Sequence, residues 1–122
     1  MNSIELIYAL KERLYDDAFD SYKKNFNKST KGSDEYSEAI KFFQSLSDTE
    51  KEHILFLIKT IMWDTLSDFF SWLDGSYYVS GQTSNVELKL EDQQKNLNGF
   101  LQDIWVGIEG GMSKKDIEDS YL

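Results

Sequence analysis

The sequence predicts an α+β fold: a predominantly helical single domain with a long central core helix and one antiparallel β-hairpin. Three observations carry this expectation. Apolar residues recur at three- and four-residue intervals over the N-terminal stretches, a spacing that gathers them on one helix face. After Gly75 the period changes, and Val86-Glu87-Leu88-Lys89-Leu90 alternates apolar with charged, as a half-exposed strand does. Proline is absent, so the breaks between elements rest on Gly, Ser and Asn.

The elements follow in chain order. Ser3 reads as an N-cap, and Ile4, Leu6, Ile7, Leu10, Leu14, Ala18, Phe19 and Tyr22 follow at helical spacing, predicting a helix over about 4–24. Residues 25–33 are polar, basic and turn-rich and read as a loop. A second helix over about 34–46 carries Tyr36, Ala39, Ile40, Phe42, Phe43 and Leu46. Ser47-Asp48-Thr49-Glu50 is a capping box, in which the Ser hydroxyl and the Glu carboxylate each satisfy an orphan amide. It opens the strongest element, over about 48–73. At about 100° per residue, Leu55, Ile58, Met62, Leu66, Phe69 and Leu73 share one face, flanked by further apolar residues. Only His53, Thr60, Asp64, Ser67, Asp68 and Ser71 form a polar strip, the pattern of a core helix packed on several sides. Gly75 suits a left-handed C-cap. Tyr77-Tyr78-Val79 and residues 86–90 then bracket a flexible tip, giving the hairpin over about 77–90. Two short helices, about 100–109 and 114–121, close the chain.

Composition limits function. The chain has 122 residues, a length suited to one domain. Its 22 acidic against 13 basic residues leave a net charge of −9, which argues against a basic nucleic-acid-binding face. Charge is uneven: residues 1–59 hold 11 acids and 9 bases, a net −2, whereas residues 60–122 hold 11 acids and 4 bases, a net −7. An acidic half steers a basic partner, or serves solubility alone. Cysteine is absent, which removes thiol catalysis, disulfides and cysteine metal sites. No stretch approaches a membrane span and no signal segment is evident, so the expected compartment is the cytoplasm.

No catalytic signature is present. His53 is the one histidine, and Ser67 lies fourteen residues along the same helix, roughly 21 Å away at about 1.5 Å per residue, so the two form no dyad there. Asp64 and Asp68 share a helix face, where paired carboxylates either hold a cation or simply face water. Gly107-Ile108-Glu109-Gly110-Gly111 follows no strand and is no dinucleotide fingerprint. The expectation is a protein that is not an enzyme and takes no cofactor or metal.

The block from Trp63 to Gly75 interleaves aromatics with acids, and Leu101-Gln102-Asp103-Ile104-Trp105 repeats that chemistry. Aromatic side chains anchor interfaces while carboxylates select cationic partners. The alternative is that Trp63, Trp72 and Trp105 pack the core while the acids face water. Together with the hairpin and Asn98-Gly99-Phe100-Leu101-Gln102-Asp103-Ile104, this block resembles small bacterial proteins, some of them similar to immunity proteins that neutralise toxins of rival cells. The resemblance covers roughly a third of the chain and implies no catalytic residue. The functional expectation is therefore an acidic protein-binding domain, an immunity or antitoxin-type inhibitor that occludes a basic toxin such as a nuclease. Asp64, Asp68, Asp74, Glu87, Glu91, Asp92 and Asp103 would supply charge, and Tyr77, Tyr78 and Trp105 would anchor. The alternative is a self-associating structural or accessory domain, a homodimer that uses surplus aromatics and the hairpin edge.

Overall fold

Six α-helices and one π-helical stretch make up the regular structure, with no β-strand, in a computed structural model that describes all of residues 1–122. Helix α1 (Ser3–Lys11) runs without a break through the π-helical Glu12–Asp16 into α2 (Asp17–Phe26), matching the helix expected over 4–24. Its N-cap is Asn2 rather than Ser3: Asn2 Oδ1 accepts from Glu5 N at 2.9 Å, and the Ser3 hydroxyl instead donates to the Leu97 carbonyl at 2.6 Å. Helix α3 (Glu35–Ser45) starts at the N-cap Asp34, whose carboxylate accepts from the Ser37 amide and hydroxyl. Helix α4 (Asp48–Leu73) begins at the expected capping box, with Ser47 Oγ accepting from Glu50 N at 3.2 Å and Glu50 Oε1 from Ser47 N at 2.9 Å. It ends in a Schellman motif, with Ser76 N bonded to Ser71 O and Gly75 N to Trp72 O. That turn requires a left-handed residue, and Gly75 sits at φ 85°. Helices α5 (Leu101–Glu109) and α6 (Lys114–Tyr121) follow, the latter with a Ser113–Asp116 capping box.

The hairpin does not form, so the fold is all-helical and not α+β. The backbone groups that would have paired are engaged elsewhere. Val79 N donates to Gln82 Oε1 at 3.0 Å, and Val79 O accepts from Gln82 N in a tight turn. In the second run, the Asn98 carboxamide takes two groups, accepting from Leu88 N at 3.0 Å and donating to Val86 O at 2.7 Å. Leu97 N bonds to Leu88 O. An asparagine side chain thus does for residues 86–88 what a neighbouring strand would have done. The alternation survives over residues 86–89, where Val86 and Leu88 are half-buried and Glu87 and Lys89 exposed, and ends at Leu90, which is exposed as well.

The chain divides into two compact units. The first, residues 1–11 with 64–122, has a dense core. Ile4, Ile7, Phe70, Leu101, Ile104, Trp105 and Ile117 are essentially without exposure, and the Phe70 and Trp105 rings meet edge to face at 5.5 Å. Each such side chain stabilises by about 1.5–3 kcal/mol when fully buried. The second unit, residues 12–63, buries Tyr15, Ile40 and Phe43. There the Gln44 amide donates to the Phe26 and Lys28 carbonyls, closing the C-terminal end of α2. The Lys59 ammonium lies over the Phe19 and Tyr15 rings at 5.1 and 5.4 Å.

Helix α4 has the bounds expected of it but is not enclosed along its middle. Phe56, Leu57 and Ile61 are 68%, 55% and 64% exposed. Its outward side runs through His53, Thr60, Asp64 and Asp68, as the polar strip predicts, but Ser67 is buried, where its hydroxyl accepts from Gln102 Nε2. No helix is long and apolar enough to cross a membrane.

Candidate functional site

Within the first unit, the last turns of α4 and the segment after Gly75 enclose a surface groove of about 420 Å³ lined by Thr65, Asp68, Phe69, Trp72, Tyr77 and Val79. Asp68 and Trp72 stand one helical turn apart, so a carboxylate and an indole fall on the same side of α4. Phe69 sits beside them, its ring centroid 5.7 Å from that of Trp72 and inclined by 33°. Once Gly75 has reversed the chain, Tyr77 returns over α4 and its hydroxyl donates to the Asp68 carbonyl at 3.0 Å. Desolvation, then hydrogen bonding with the Asp68 side chain and that carboxylate's charge, raise the Tyr77 phenol above its ordinary value.

Gln82 holds the far wall. Its Oε1 accepts from Trp72 Nε1 at 2.7 Å and from Val79 N at 3.0 Å, and its Nε2 donates to Ser84 O at 2.8 Å. It reaches this position because Val79-Ser80-Gly81-Gln82 turns sharply, with Gly81 at φ 87° in the third place, where a type II turn needs a left-handed residue. One amide therefore fixes the rotation of the Trp72 indole and the path of Val79 together.

The expected site residues separate into four groups. Asp68 and Tyr77 meet in the groove, and Asp64 lies one turn before Asp68 on the exposed side of α4. Glu87, on the extended stretch, Glu91 and Asp92, in the turn that follows it, and Asp103, on α5, are exposed carboxylates carried by other segments. Tyr78 is half exposed, and its hydroxyl donates to Asn85 Oδ1 at 2.8 Å. The remaining two are structural. Trp105 is 1% exposed and belongs to the core, so its expected role as an anchor is corrected by its burial. Asp74 does not face a partner: Oδ1 accepts from Gly99 N at 2.7 Å and Leu101 N at 3.1 Å, and Oδ2 from Gln102 N at 2.9 Å. It caps α5 from a distance in sequence, which the local N-cap Phe100 does not do.

Phe69, Trp72, Val79 and Gln82 escaped the sequence reading as site residues. The available signal was the i, i+4 spacing of Asp68 and Trp72 at the margin of the polar strip. In the second unit, a cleft of about 280 Å³ is lined by apolar residues alone, among them Phe26, Ile40, Phe43, Ile54 and Ile58, with Phe42 and Tyr36 largely exposed. No three acidic or histidine side chains converge as a metal site. No family model, curated protein or solved structure matches this chain.

Proposed function

We propose that the chain is a non-enzymatic protein-binding domain that docks a basic partner on the acidic, aromatic surface of its first unit. An immunity or antitoxin-type inhibitor that occludes a basic toxin such as a nuclease would use a surface of this kind. The observation that carries the reading is the groove, in which a carboxylate stands beside the exposed Phe69 and Tyr77 rings and the half-buried Trp72 indole. Charge supports it: residues 1–11 and 64–122 hold 12 acids and 5 bases, a net −7. A surface of one sign accelerates association with an oppositely charged partner and makes the rate salt-dependent.

The test is affinity capture from the native host's lysate at low salt, with a Asp64→Lys, Asp68→Lys, Glu87→Lys triple variant run in parallel. One stoichiometric basic partner, retained by the natural chain and lost by the variant or at high salt, is the expected result. A partner held equally by both chains ends the acidic-face reading. Self-association is the second reading, favoured by the exposed Phe56, Leu57 and Ile61 of the second unit. The sheet edge first expected to serve it does not exist. A sedimentation mass of one chain at high micromolar concentration would remove that alternative.

A further inference from the structure

We infer that the groove at Asp68, Phe69, Trp72 and Tyr77 seats an arginine side chain of the partner, an assignment that rests on the protein-binding reading above. The argument is one of donors and acceptors. The indole N–H of Trp72 is engaged by Gln82, and the hydroxyl proton of Tyr77 by the Asp68 carbonyl. What these side chains still offer a ligand is acceptor capacity and ring faces: the Asp68 carboxylate, the Tyr77 oxygen lone pairs, and the aromatic surfaces of Phe69 and Trp72. No Lys, Arg or His lines the groove, so an anion would find no counter-charge there.

A guanidinium is the complement of that set. It carries donors and no acceptor, bears a permanent charge, and is planar. Its flat face stacks on an indole or phenyl ring while its edge directs N–H groups at a carboxylate. A lysine ammonium meets the charge requirement but not the planar one, and being more strongly hydrated it loses more on leaving water. The groove is also held in shape before any ligand arrives, because Gln82 fixes Trp72 and Val79 together, and prior order lowers the entropic cost of binding.

The experiment titrates the full chain at low ionic strength with an acetylated Gly-Arg-Gly-Arg-Gly amide, following the tryptophan side-chain N–H resonances, with Trp72→Phe to assign the signal. Two further peptides replace arginine by lysine and by citrulline, the uncharged isostere. The arginine peptide should shift the Trp72 resonance saturably, the lysine peptide should bind about threefold more weakly, and the citrulline peptide should produce no shift. Asp68→Asn should weaken the arginine peptide by about fivefold, the size of one partly exposed charge contact. That variant keeps the backbone carbonyl to which Tyr77 donates, so the groove stays formed. Glu52→Gln, an exposed charge of the second unit, should change affinity by less than about twofold. No saturable shift, or equal binding of arginine and citrulline peptides, overturns the assignment. If the natural chain captures a basic partner that the triple acid variant loses while Trp72 stays unperturbed, the arginine seat fails and the protein-binding reading survives. If neither chain discriminates in capture, that reading fails by itself.

Discussion

Replacing Asp74 should damage the fold and leave partner binding untouched, although Asp74 carries the same charge as the groove carboxylate six residues before it. The carboxylate accepts three backbone N–H groups at the start of α5. Loss of an ordinary N-cap side chain costs about 1 kcal/mol. A negative charge at a helix N-terminus adds about 0.3–1 kcal/mol. Gly99 is exposed, so water replaces the acceptor there, but Leu101 is fully buried, and leaving its N–H without a partner costs about a further 1 kcal/mol. Asp74→Ala should therefore cost about 2–3 kcal/mol. At about 3–5 °C per kcal/mol for a domain of this size, the melting temperature should fall by about 6–15 °C. Asp74→Asn keeps one acceptor oxygen but turns a donor toward Gln102 N, and should cost about 1–2 kcal/mol. The assay is thermal unfolding by far-ultraviolet circular dichroism, paired with arginine-peptide titration well below the transition, where Asp74→Asn should bind within about twofold of the natural chain. An Asp74→Ala cost under about 0.5 kcal/mol, the level of an unengaged surface residue, would refute the reasoning.

Other perturbations test the same description of the molecule. Trp105→Ala removes a side chain enclosed between core residues and should cost about 3–5 kcal/mol, whereas Trp105→Phe should retain the helical dichroism; both are read by thermal unfolding. Phe56→Ser and Ile61→Ser should each change stability by less than about 0.5 kcal/mol in chemical denaturation, because both side chains stand largely in water. Gln82→Ala deletes three hydrogen bonds, and should cost about 1–2 kcal/mol in urea unfolding while also weakening arginine-peptide binding. The Ser37 hydroxyl, and then the Ser37 amide, hold the Asp34 carboxyl below its ordinary value of 3.8. A lowered folded-state pKa means that this contribution is complete above 3.8 and is lost as pH falls through the folded value. A titration of the Ser37 amide resonance should have its midpoint below 3.8, and a midpoint above it would contradict the cap.

Helices were legible because their signals are local. The Ser47–Glu50 capping box, the Asp34 start and the glycine at position 75 each act within a turn or two of themselves, and each marks the end that the structure has. The hairpin was misread because alternation reports which side chains are shielded, not what the backbone pairs with. Residues 86–89 alternate in exposure as a strand would, yet Val86 and Leu88 bond to the side chain of Asn98 and the backbone of Leu97, and Leu90 is exposed. Those partners lie nine to twelve residues onward, and a single asparagine carries no periodic signature. The exposed middle of α4 was illegible for a related reason. Periodicity shows that Leu57 and Ile61 lie near the polar strip, but whether anything covers them depends on neighbouring elements, not on α4 itself.

The contrast between Asp68 and Asp74 shows where residue chemistry stops predicting role. Both belong to one aromatic–acidic block, and both were read as partner contacts from charge alone. Asp68 lies on the side of a helix whose own backbone groups are internally bonded, so its exposed carboxylate meets no unsatisfied amide and has the Tyr77 phenol as its neighbour. Asp74 lies just past the last residue of α4, where the chain has turned and the open N-terminus of α5 is within reach. Unpaired amides at a helix start outcompete any external cation for such a carboxylate, because they are already in place and need no association step. Trp72 and Trp105 divide in the same way: the first keeps a face in the groove because its indole is held by a surface loop, the second is enclosed.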